Sequence, residues 1–135
     1  MQSSPLQPHS LCTAIADSLR ERILSHAFAP GSAVHDGELA AQYGVRRTPV
    51  REALKLLCHE GMLTAQPRRG MTVTVLSEAE IDEALQLRRL LQARLDSTAG
   101  GPGAQRLTRR LYQMTEWQLR LAFGPHHARA AATPQ

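Results

Sequence analysis

Three residues, Val45, Arg46 and Arg47, separate Gly44 from Thr48. In that space the chain must stop one helix and start another. Glycine takes the left-handed conformation that ends a helix without steric cost. Thr48 is a good N-cap, and Pro49 then falls at the first helical position, where its missing N–H costs nothing. A connection this short makes the two helices close neighbours crossing at a steep angle. The junction therefore ties the chain to a helical corner.

The flanking pattern extends that corner into a domain. Leu11, Ile15, Leu19 and Ile23 recur at helical spacing, and this first helix should end near residues 26–29, ahead of Pro30-Gly31. A short extended piece over 32–35 leads to Asp36, which is expected to cap a second helix over 37–43 with Leu39, Ala40 and Tyr43 facing inward. After the junction, Val50, Ala53, Leu54 and Leu57 form one face of a third helix over 48–60, which Gly61 ends. Two extended runs follow, 62–66 and 71–76, joined by Pro67-Arg68-Arg69-Gly70 as a hairpin with a basic tip. Helix, helix, tight turn, helix and hairpin is the order of a winged helix-turn-helix.

Beyond it the pattern is helical only. Ser77-Glu78-Ala79-Glu80 is a capping box opening a helix to about Ser97, with Ile81, Leu85, Leu87, Leu91 and Leu95 apolar. Gly100-Gly101-Pro102-Gly103 breaks it. A last helix carries Leu107, Leu111, Met114 and Leu121, with Trp117 beside them, and closes at Gly124-Pro125. The expected fold is mainly α with a small β-hairpin: a winged helix-turn-helix domain followed by a short all-helical C-terminal region. The expected divisions are a disordered lead at 1–9, the winged domain at 10–76, the helical region at 77–125 and a disordered tail at 126–135.

Composition narrows the partners. The 135 residues carry 16 basic and 12 acidic side chains, a net charge of +4, which leans mildly toward anions. Lys55 is the sole lysine; the arginine bias suits forked contacts to phosphate or guanine, and equally suits GC-rich coding. Cys12 and Cys58 show no metal spacing and read as buried free thiols of a reducing compartment. No run approaches the ~18 apolar residues of a membrane helix, and the first ten residues lack the layout of a signal peptide. A soluble, cytoplasmic protein with no membrane partner is expected. No nucleophile–base pair, phosphate loop or pair of acids stands at usable spacing, so no enzyme is expected.

The chemistry concentrates at the third helix. Arg46, Arg47, Thr48 and Arg51 crowd its start, with Lys55 one turn on and Glu52 as the lone acid among them. Arginines at a helix start are ordinarily a solvated face, but here they oppose the helix dipole. A partner that supplies negative charge accounts for them. Helix-turn-helix domains put this end of their second helix into the major groove, where Arg47 or Arg51 can fork onto guanine at ~1–3 kcal/mol of discrimination. The Thr48 hydroxyl and the free N–H groups of the first turn suit phosphate. Arg68 and Arg69 at the hairpin tip can reach an adjacent backbone or minor groove.

On these residues the stretch "YGVRRTPVREALKLLCHEGMLTAQPRRGMTVTVLSEAEIDEALQLRRLL" resembles the DNA-binding domain of GntR-family bacterial transcription regulators, and within them the FadR-like subfamily with an all-helical effector domain. The resemblance runs from about Ala14 to Leu95. It implies a homodimer on double-stranded DNA, a repressor at a short palindromic operator, with contacts from Arg47, Thr48 and Arg51 and from Arg69 and Gly70 in a wing at 66–71. Arg46 departs from the Ser or Thr usual at its position, and Gly37 from the charged residues that often open the second helix. The third departure is the effector region: 77–125 supplies only part of the subfamily's helical bundle, so a small-molecule effector is doubtful. Met114 and Gln118 stand where many members carry an Asp and a His metal ligand, and the adjacent His126-His127 do not suit a shared site. No metal and no cofactor are expected. The other reading of the chain is a winged-helix interaction module that heterodimerises with a full-length relative without binding DNA.

Overall fold

The computed structural model describes residues 8–97 and 100–125, which form two compact units divided between Thr74 and Val75. Residues 1–7 and 126–135, with the expected lead and tail and His126-His127, lie outside the described residues. The architecture is mostly helical with one small antiparallel sheet, as the sequence leads one to expect.

In the first unit α1 (Pro8–Leu24) packs across α3 (Arg47–His59), and α2 (Asp36–Tyr43) lies against α3. Ile15, Leu19 and Ile23 from α1 and Val50, Ala53, Leu54 and Leu57 from α3 are buried, with Leu39, Met62 and Val73 completing the core. Helical spacing had put each of those α1 and α3 residues on its inner face. Polar clamps hold the edges. Arg20 donates from Nε to Glu60 Oε1 at 2.9 Å and from Nη2 to Glu60 Oε2 at 2.8 Å, tying α1 to the residue that ends α3. Ser18 Oγ and Tyr43 Oη lie 2.7 Å apart, linking α1 to α2.

The sheet has order β1-β3-β2, from β1 (Ala33–Val34), β2 (Leu63–Gln66) and β3 (Gly70–Val73). The expected hairpin is β2 with β3, registered Leu63 opposite Val73 and Gln66 opposite Gly70. The extended piece at 32–35 adds a third strand, pairing Ala33 with Thr72 and Val34 with Met71. Gly31 N–H donates to Val73 O at 2.8 Å and Val73 N–H to Ser32 O at 2.9 Å, continuing that ladder.

Several boundaries shift. Pro8 and His9 belong to α1, so helix begins inside the stretch expected as lead, and α1 ends at Leu24 rather than at 26–29. Asp36 is not the cap of α2: His35 holds that position with extended backbone, and Asp36 is already helical. Likewise Arg46, at φ −78° and ψ 164°, is the N-cap residue of α3, which starts at Arg47 and ends at His59. Thr48 is helical and makes no cap. Proline is tolerated through the first turn because all of its N–H groups lack helical partners, so Pro49 did not fix the start to one residue. Gly44 does end α2 in the left-handed conformation, at φ 67° and ψ 37°.

The second unit is a helical pair, α4 (Glu78–Asp96) and α5 (Pro102–Phe123). Ser77 forms the expected capping box, with Glu80 N–H donating to its Oγ at 3.1 Å and its own N–H donating to Glu80 Oε1 at 2.9 Å. Arg88 and Glu116 join the helices at 2.9 Å. Burial is sparse: α4 has no buried residue, and α5 has Thr115, Leu119 and Leu121. Leu107 and Leu111, two of the apolar positions named for the last helix, are 59% and 41% exposed. Periodicity marks a face; it does not supply a surface to cover it. No described helix is long and apolar enough to cross a membrane.

Candidate nucleic-acid interface

The turn between α2 and α3 is built from backbone. Gly44 N–H donates to Ala41 O at 3.3 Å and Val45 N–H to Ala40 O at 3.0 Å, closing α2. Arg46 then runs extended into α3, whose residues divide sharply by exposure. Val50, Ala53, Leu54 and Leu57 are buried, while Arg46, Arg47, Thr48, Arg51 and Lys55 are all exposed. The same helix thus seats itself in the core and turns a basic face outward.

Three of those cations have intramolecular company. Arg51 donates from Nε to Asp36 Oδ2 at 2.6 Å. This hydrogen bond holds the Asp36 carboxyl below its ordinary value; burial opposes it, and the Gly37 N–H and the charges of Arg51 and Arg47 lower it further. Arg47 lies over the start of α2, where a β-carbon added at Gly37 would sit 2.9 Å from its Nη2. Gly37 therefore leaves room at the start of α2 for a cation from α3. Lys55 pairs with Glu52 at 3.2 Å, both well exposed, an arrangement of little energetic consequence.

At the wing, Arg69 N–H donates to Gln66 O at 3.1 Å and closes the turn between β2 and β3. Arg68 adopts φ 67°, uncommon for a residue with a side chain, and Gly70 adopts φ 78°. Arg68, Arg69 and Gly70 are exposed. The two thiols stand apart from these residues as free cysteines: Cys12 is buried and Cys58 half-buried, and burial raises the pKa of both. No group of three or more metal-ligating side chains occurs among the described residues.

The sequence profile of the bacterial regulatory proteins, gntR family, matches residues 11–73. Over these residues the chain is similar to the gntR family. All of the candidate DNA-contacting positions, from Arg46 to Gly70, fall inside the GntR match. The chain is 36% identical over 72 residues to an uncharacterized HTH-type transcriptional regulator, YdhC, of Bacillus subtilis, covering 53% of this chain and 32% of that protein. It is 32% identical over 102 residues to the gluconate operon transcriptional repressor of Bacillus licheniformis, covering 76% of this chain and 42% of the repressor. The match thus spans well under half the length of these curated relatives. A crystal structure of a candidate GntR transcriptional regulator from Rhodococcus sp. RHA1 superposes with a TM-score of 0.62 at 21% identity, over 82% of this chain and 61% of that one, a likeness of fold. Both relatives bear the names of transcriptional regulators.

Two residues of this surface escaped the sequence reading. Asp36 looked like a helix cap, and Gly37 like the loss of a contact. Their partners, Arg51 and Arg47, lie 15 and ten residues away in sequence, beyond the reach of any local spacing rule.

Proposed function

We propose that the chain is a sequence-specific DNA-binding transcriptional regulator of the FadR-like kind, acting in the cytoplasm as a dimeric repressor at a short palindromic operator. In this reading α3 enters the major groove, with Arg47, Thr48 and Arg51 at base edges and phosphates, Arg46 and Lys55 on the backbone, and Arg68, Arg69 and Gly70 at the wing. Residues 77–125 serve pairing. The observation that carries the reading is the exposed crowd of arginines at the start of α3. A helix N-terminus repels cations, and the single carboxylate of Asp36 offsets only part of that charge, so their concentration there calls for a further anion.

The dimer draws support from the second unit. Leu87, Leu90, Leu107, Leu111 and Phe123 are exposed on α4 and α5, and a two-fold partner would remove apolar surface of this kind from water. The same leucines suit an interaction module that never touches DNA, but such a module has no use for Arg46, Arg47 and Arg51 together. Binding-site selection from random duplexes separates the two. A palindromic consensus is expected, with affinity falling linearly in log–log form as salt rises. Arg51→Ala should lower affinity for the selected duplex by ~1–3 kcal/mol with helix content intact. No binding to any duplex at low salt would defeat the DNA reading.

A further inference from the structure

Asp36 places an acid on the one surface where the proposed function calls for cations. Its carboxylate is not the N-cap of α2, a position that His35 holds, although it does accept from the Gly37 N–H. What it does is grip Arg51, and it does so from one side. The 2.6 Å bond reaches Nε, the nitrogen nearest the side-chain stem. Arg51 Nη1 and Nη2, the outer fork of the guanidinium, make no ion pair or hydrogen bond with the described residues. A forked contact to guanine uses two such parallel N–H groups.

We infer that Asp36 is a specificity-positioning residue: it fixes the Arg51 guanidinium through Nε and leaves the outer fork aimed at a base edge. The inference rests on the proposed DNA reading, in which an acid on this face lowers affinity and raises selectivity. A carboxylate beside phosphates weakens binding to any duplex, so its presence disfavours unselected sequence. Against that it restricts the rotamers of a long side chain that stands 57% exposed, so that less freedom is lost when the fork meets its base. Among the described residues Arg47 has no such anchor. Its guanidinium lies over Gly37, and only the charge of Asp36 attends it. The two arginines are thus unequal, with Arg51 aimed and Arg47 adaptable.

The test applies binding-site selection from a random duplex pool to the full chain, to Asp36→Ala and to Asp36→Glu, and compares each variant's affinity for the wild-type consensus and for scrambled duplex. Asp36→Ala should bind scrambled duplex as well as the wild type or better. Its ratio of consensus to scrambled affinity should fall about tenfold, the loss expected for one forked arginine–guanine pair, with the flattening confined to one base position per half-site. Asp36→Glu, which keeps the charge and the acceptor, should restore most of the ratio. If Asp36→Ala does not fold, Asp36→Asn takes its place, with a smaller fall in the same direction. An unchanged ratio, or equal losses on consensus and scrambled duplex, would overturn the positioning role while leaving the DNA reading in place. A wild type that binds no duplex would remove both.

Discussion

Of the 18 buried apolar residues among those described, 16 lie in the unit that ends at Thr74 and two in the unit that follows. The exposed large apolar residues run the other way, with Leu56 alone in the first unit and Val75, Leu87, Leu90, Leu107, Leu111 and Phe123 in the second. Both units nevertheless carry the same kind of helical periodicity in sequence. The difference lies in what surrounds the apolar stripe. In the first unit two further helices and a sheet accompany α3, so its inner face meets neighbours on several sides. In the second, α4 and α5 offer each other one face apiece, and α4 buries nothing fully. An amphipathic pattern is a statement about one helix, whereas a core is a statement about at least three surfaces.

The sharpest way to break this comparison is a matched pair of truncations. Leu57→Ala, at a residue with no exposure, should cost ~2–5 kcal/mol in chemical denaturation. Leu90→Ala, at a residue 69% exposed, should stay within about 0.5 kcal/mol at concentrations where the chain is monomeric. Equal losses would mean that α4 hides a core of its own. A Leu90→Ala loss that grows with protein concentration would instead locate a partner surface there.

A smaller effect is expected at the edge of the first unit. Glu60→Ala removes two of the hydrogen bonds of Arg20, whose side chain is only 13% exposed, and leaves it the exposed Asp17 at 2.7 Å. A loss of about 1–3 kcal/mol should follow, read as a lower midpoint in urea unfolding. A neutral result would show that apolar packing alone holds α1 on α3.

The smallest effect distinguishes the outward face from the core. Gly37 is helical, so Gly37→Ala should raise stability by up to ~0.5–1 kcal/mol. The new methyl would stand 2.9 Å from Arg47 Nη2, at the mobile end of a long side chain that can step aside. Stability should therefore rise while duplex affinity or base preference changes. If both rise together, Arg47 does not need the room that glycine gives it.

These particulars show what the residues could announce in advance. The faces of α1 and α3 were legible because 3.6-residue periodicity is local, as were Gly44 at the end of α2 and the Ser77–Glu80 box, whose chemistry lies within a few residues. The start of α3 was misplaced by one residue because Arg46 takes an extended backbone with no side-chain bond to advertise it. The strand at Ala33–Val34 is two residues long, too short to carry an alternation, and its partner β3 lies nearly 40 residues away. Within the candidate site, the basic residues were legible by type and position. The Asp36–Arg51 pair and the space at Gly37 were not, because tertiary folding alone brings them together.

That two-residue strand has a mechanical consequence. Val34 is bonded to the wing strand at Met71, and two residues later the chain reaches Asp36, whose carboxylate grips Arg51. The hairpin and α3 are thus joined through a short run of backbone as well as by a shared core. If Asp36 has the proposed positioning role, the rung at Ala33–Val34 also sets how far the hairpin stands from Arg51, as the pivot of a pair of callipers sets its jaws.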